Sequence, residues 1–125
     1  MRKTAIVCGG RNYKNQTKIA QILSKLNPNK IVTGAATGAD QLAEDWARTT
    51  QLNYEGYPAK WRRNGKRGGP MRNAEILHNY KQIKDLCVVV AFPGGRGTSN
   101  MIKQAEEFGF DVVEVDDDPY STLDD

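Results

Sequence analysis

Three stretches of this chain combine glycine with groups that hold anions. They are Gly9-Gly10-Arg11, Gly34-Ala35-Ala36-Thr37-Gly38-Ala39-Asp40 and Pro93-Gly94-Gly95-Arg96-Gly97-Thr98-Ser99. Glycine lets a ligand approach the main chain, and the free amides and positive dipole end of a following helix favour phosphate. The hydroxyl of Thr98 or Ser99 and an arginine fork, from Arg11 or Arg96, extend such a cradle. The expected ligand-binding residues of the first two turns are Gly9, Gly10, Arg11, Gly34, Gly38 and Asp40; those of the third are Pro93, Gly94, Gly95, Arg96, Gly97 and Thr98. No Gly-x-x-x-x-Gly-Lys-Ser/Thr occurs, and Asn100 stands where a dinucleotide fingerprint has its third glycine. Neither a P-loop nor a standard NAD motif is present.

Other side chains offer further chemistry. Asp40 and Glu44 lie one helical turn apart, so both can face the same ligand, although an acid in a first helical turn also suits the dipole and Glu44 can simply pair with a base. If a glycosidic or phosphoester bond is cleaved, the candidate catalytic carboxylates are Asp40, Glu44 and Glu75. Trp61 stands among Lys60, Arg62 and Arg63, an arrangement that stacks a base while the charges hold phosphates, or that merely pins a loop. His78 is the one histidine and reads as a surface or packing residue. Cys8 and Cys87 sit in apolar runs, where a small buried thiol is the commonest role. With no close Cys/His spacing, no metal and no cofactor are expected.

Positioning these groups requires a scaffold, and the chain has the length for one domain with its own core, 125 residues. Short apolar runs alternate with helix-like stretches, which implies βαβ units and a parallel sheet. Lys3–Cys8, Lys30–Thr33, Tyr54–Tyr57, Leu86–Phe92 and Asp111–Val115 read as strands. Ile19, Ile22, Leu23 and Leu26 form one face of a helix over Lys14–Leu26, and Asn27-Pro28-Asn29 stops it. A second helix carries Ala39, Leu42, Ala43, Trp46 and Ala47 on one face; a third runs from Pro70 to about Gln82, and a last spans Thr98–Phe108. Pro58–Gly69, polar and glycine-containing, reads as a loop.

The fold class expected is a single Rossmann-like α/β three-layer sandwich, with helices on both faces of about five parallel strands in the order 3-2-1-4-5. The domain spans residues 1–115, and 116–125 form an acidic, frayed tail. In such a sheet ligands bind beyond the carboxyl ends of the strands, near the reversal of strand order, which gathers the three glycine turns on one edge.

Charge is divided unevenly along the chain. Up to residue 110 there are 18 bases against eight acids, whereas residues 111–125 hold seven acids and no base. The body therefore attracts anions. No apolar run approaches the roughly 18 residues that cross a bilayer, and the run after Arg2 and Lys3 ends at Gly9, far short of a signal-peptide core. A cytoplasmic protein without a membrane partner is expected.

Four segments together resemble the SLOG superfamily, named for the Smf/DprA and Lonely Guy proteins. They are Cys8-Gly9-Gly10-Arg11, Gly34 through Asp40, Gly69-Pro70-Met71-Arg72-Asn73, and Ala91-Phe92-Pro93-Gly94-Gly95-Arg96-Gly97-Thr98. Within it the chain is similar to the small YspA-like bacterial and phage branch. The resemblance implies a Rossmann-like fold that holds a nucleotide-derived ligand, adds Arg72 and Asn73 to the expected site, and suggests a homo-oligomer. In the Lonely Guy branch it implies a phosphoribohydrolase with Pro-Gly-Gly-x-Gly-Thr-x-x-Glu. Here the last position is Met101, which cannot act as a carboxylate, while Arg72 matches the arginine that accompanies that glutamate. The reading that fits best is a sensor or sequestering module for a nucleotide-derived small molecule. A hydrolase using another carboxylate is the alternative. Single-stranded nucleic-acid binding through Trp61 and the basic segment, as the DprA resemblance allows, is a third and weaker reading.

Overall fold

The computed structural model describes residues 2–118. Its five strands are β1 (Thr4–Cys8), β2 (Lys30–Thr33), β3 (Tyr54–Gly56), β4 (Cys87–Ala91) and β5 (Val112–Glu114). All pair in parallel, in the order β3-β2-β1-β4-β5. The helices are α1 (Gln16–Leu26), α2 (Ala39–Thr49), the single turn α3 (Trp61–Asn64), α4 (Gly68–Tyr80) and α5 (Arg96–Phe108). The topology is the Rossmann-like α/β arrangement expected, and the order reverses between β1 and β4.

Alternation along the strands sorts the core into two layers. Ala5 and Val7 of β1 point to one face, where Ile19, Ile22 and Leu23 of α1 and Ala39, Ala43 and Ala47 of α2 cover them. Ile6 points to the other, against Ile76 and Leu77 of α4 and Met101 and Ala105 of α5. Each of the fully buried valine, isoleucine, leucine and methionine side chains contributes about 1.5–3 kcal/mol, the alanines less. The alanines of α2 let it lie close to the sheet.

Local signals set the helix ends. The Asn15 side chain accepts from the amide of Lys18 at 3.0 Å at the start of α1, and Asn27 closes it in the left-handed conformation, φ 49°. Pro58–Gly69 departs from the expected loop. It holds α3, a 3-10 turn over Gly65–Arg67 and the first residues of α4. The organiser is a tertiary contact: Trp61 lies so close over Gly68 and Gly69 that a Cβ on either would stand 3.0 Å from its ring. At the far end Tyr13 donates to Asp117 Oδ1 at 2.7 Å and Lys18 Nζ to the Asp118 carbonyl at 2.8 Å. These bonds hold the start of the expected tail against α1. From Pro119 onward that tail lies outside the described residues.

Candidate functional site

A cavity of about 590 Å³ opens beyond the carboxyl ends of β1, β2 and β4. Its walls come from the three glycine turns, from α3 and the segment that follows it, and from the first turns of α4 and α5.

The turns are stitched to one another through Gly10. Its amide donates to the Pro93 carbonyl at 2.9 Å, and its carbonyl accepts from the amide of Ala39 at 3.1 Å. Gly38, at φ 80°, is held by this packing: a Cβ there would stand 2.1 Å from the Gly10 carbonyl oxygen. Gly94 is likewise closed in by Thr98. These two glycines, with Pro93, shape the turns and stand behind the residues that line the cavity.

Of the expected ligand-binding residues, Gly9, Gly10, Arg11, Gly34, Asp40 and Trp61 line the cavity, as do Arg72, Asn73, Gly95, Arg96, Gly97 and Thr98. Gly95 and Gly97 differ from the other turn glycines. No other protein group lies within 4 Å of where a Cβ of either would stand, and neither has a positive φ. No side chain caps α5, so the amides of Arg96, Gly97 and Thr98 have no partner within the helix.

Arg72 reaches into the cavity from α4. Its Nη1 donates to the Gly34 carbonyl and more weakly to that of Tyr57, and its Nε to Asn73 Oδ1 at 2.9 Å. The guanidinium lies so close over Gly34 that a side chain there would displace it. Asn73 is buried and fully employed. It orients Arg72 and donates to Asn100 Oδ1 at 3.1 Å and to the Gly97 carbonyl, joining α4 to the first turn of α5. Asn73 is thus a positioning residue as well as a wall. Burial lowers the Arg72 pKa and the neighbouring Asp40 opposes that shift, so the guanidinium stays charged.

The carboxylates part company. Asp40 is buried, with Oδ2 accepting from the Ala36 amide at 3.2 Å and Oδ1 without a partner. Burial, with Glu44 adding and Ala36 and Arg72 opposing, pushes its pKa up to about 6. Glu44 accepts from the Thr33 hydroxyl and lies outside the cavity. Glu75 lines a separate depression of about 210 Å³ beside Lys60 and Met71. Of the three catalytic candidates, only Asp40 therefore meets the main cavity.

Across the mouth, the Arg11 guanidinium lies over the Trp61 ring, 4.9 Å from its centroid. Among the described residues, four bases, Arg11, Lys66, Arg72 and Arg96, line the cavity with one acid, Asp40. Cys8 stands in the cavity wall instead of wholly within the core, and burial, then Asp40, pushes its thiol up to about 12, so it is no nucleophile at neutral pH. His78 is exposed on α4, away from the cavity. Sequence reasoning missed Lys66 and Asn100 as cavity residues, and Met101, singled out only as the motif position that lacks its glutamate, stands in the wall as well. Lys66 is one base in a basic run, and Asn100 shows itself only through the helical spacing that follows Gly97.

Residues 4–64 match the profile of the YspA, cpYpsA-related SLOG family, YAcAr. Over 129 aligned positions, 94% of this chain and 99% of the relative, the chain is 31% identical to the Gene 61 protein of Mycobacterium phage D29. The chain belongs to the YspA-related SLOG family. Among solved structures, this SLOG chain is similar to DNA processing protein A (DprA) from Streptococcus pneumoniae, with a TM-score of 0.68 and 23% identity over 98% of this chain and 52% of that one. It spans about half the length of DprA. It is also similar to the protein TM1055, with a TM-score of 0.64 and 20% identity over 88% of this chain and 72% of the other. These two likenesses are of fold. Among the described residues no helix is long and apolar enough to cross a membrane.

Proposed function

We propose that this SLOG domain binds a nucleotide or nucleotide-derived small molecule, with a phosphate on the turn that starts α5. The observation that carries this reading is the open face of Gly95 and Gly97. Every other glycine of the three turns has a protein atom where its side chain would be; these two have none. Glycine at an open position without positive φ costs conformational entropy for no packing gain, and a phosphate lying against the main chain supplies the missing reason. The unpaired first-turn amides, the Thr98 hydroxyl and the surrounding arginines fit the same anion. The cavity volume falls within the range of small-molecule sites.

Binding without turnover is the mode favoured, as in a sensor or sequestering module. A thermal-shift panel of nucleoside monophosphates, diphosphates and ADP-ribose tests it. A ligand that binds only the folded state at a hundredfold excess over Kd adds about 2.7 kcal/mol. No shift with any member at millimolar concentration would sink the reading.

Single-stranded nucleic acid is the second reading, favoured by the exposed run Lys60, Arg62, Arg63, Lys66 and Arg67 beside Trp61 and by the likeness to a protein named for DNA processing. It requires an affinity that falls steeply with salt and grows with strand length. A mononucleotide that binds as well as an oligonucleotide would exclude it.

A further inference from the structure

Among the described residues, Asp40 carries the strongest unmet demand. It is 5% exposed, lines the cavity, and holds one oxygen, Oδ1, buried and without a hydrogen-bond partner. Folded proteins leave few such atoms unpaired, and an ionised carboxylate can only accept. No neighbour places a donor in hydrogen-bond geometry on Oδ1. Arg72 directs Nε to Asn73 and Nη1 to Gly34 and Tyr57, the Ala36 amide takes the other oxygen, the Gly34 amide only helps to stabilise the charged form, and Glu44 is itself an acceptor held by Thr33.

The position of this oxygen gives the cavity a polarity. The turn of α5 favours negative charge, whereas Asp40, the one acid in the wall, repels it. A phosphate and a neutral donor therefore belong at different places. We infer that Asp40 selects ligands in which the phosphate-bearing part is joined to a hydroxyl or amino donor, and that this donor hydrogen-bonds to Oδ1. The inference rests on the proposed phosphate site. It excludes inorganic phosphate as a full ligand and names the sugar hydroxyls or a base amine of a nucleotide as the group recognised. A site built to pair with a donor discriminates strongly against the analogue that lacks it, because the buried oxygen is then left bare.

Calorimetric titration of the native protein with AMP, 2′,3′-dideoxyadenosine monophosphate and purine riboside monophosphate separates the two sources. The first analogue lacks the sugar hydroxyls and the second the base amine. One of them is expected to bind at least tenfold more weakly than AMP, and Asp40→Ala to bind AMP and that analogue equally. The comparison on native protein needs no variant, so it stands even if Asp40→Ala folds poorly. If both analogues bind native protein within twofold of AMP, Asp40 receives no ligand donor, though the phosphate reading survives. A difference that persists undiminished in Asp40→Ala also overturns the assignment. If none of the three binds, the phosphate reading and this inference fall together.

Discussion

Asp40 gives the site a pH signature of its own. Its folded-state pKa of about 6 lies above the ordinary 3.8, with burial the main cause. Folding thus favours the protonated carboxyl. The native state is unpenalised below about pH 4 and loses up to about 3 kcal/mol as the pH rises through 6. Asp40→Asn removes the charge and keeps an acceptor for Ala36. Its melting temperature should exceed that of native protein at pH 8, with the gap closing near pH 4; an equal gap at both pH values would contradict the account. Met101 makes the opposite case. It is 2% exposed among Ile6, Leu77 and Ala105, at the position where the motif of the Lonely Guy proteins that the sequence resembles has its glutamate. Met101→Glu should cost about 2–4 kcal/mol in denaturant unfolding, since it buries a carboxyl in an apolar cluster. The native protein should release no free base from AMP, CMP, GMP or UMP by chromatography. Turnover that disappears in Arg72→Ala would make this an enzyme. Sequence spacing put Asp40 and Glu44 on one helix face, but it could not show that Thr33 takes Glu44 away from the ligand. Arg72 and Asn73 were legible only through family likeness, because a basic segment has no pattern that singles out one of its members.

At the level of elements, α1 and α2 were readable because each buries one periodic face and the strands because they are short apolar runs buried on both faces, whereas right-handed crossovers allow the observed strand order without selecting it. The turn α3 was not. Four residues carry no period, and what shapes them is Trp61 seated on Gly68 and Gly69, a contact within the fold. Likewise α5 begins at Arg96, two residues before the expected start, since glycines hide a helix whose first turn is left open. The turn glycines can be separated by experiment. Gly38→Ala forces a Cβ into the Gly10 carbonyl at positive φ, and should lose at least 1–3 kcal/mol of stability, roughly the cost of such strain. Gly97→Ala meets open space in a helix and should be neutral or stabilising by up to about 1 kcal/mol. Denaturant unfolding reads both. Equal losses would mean that Gly97 is a structural glycine and would remove the main support for the phosphate site.

Over the whole molecule, the charge division seen in the sequence becomes a spatial one around the cavity, where four bases face one acid while the acidic stretch after β5 begins beside α1. Such a charge arrangement is of the kind that attracts small anions, as the proposed phosphate site requires. On the proposed reading, the α5 turn with its two open glycines is where a nucleotide's phosphate binds. Calorimetric titration of AMP into native protein, Gly97→Val and Lys103→Ala tests it most directly. Lys103 is exposed on the same helix and outside the cavity, so it controls for any general effect of altering α5. Native protein and Lys103→Ala should bind with the same Kd, and Gly97→Val should bind at least tenfold more weakly, a loss of about 1.4 kcal/mol, at an unchanged melting temperature. Three equal dissociation constants, or no binding by the native protein, would contradict the account.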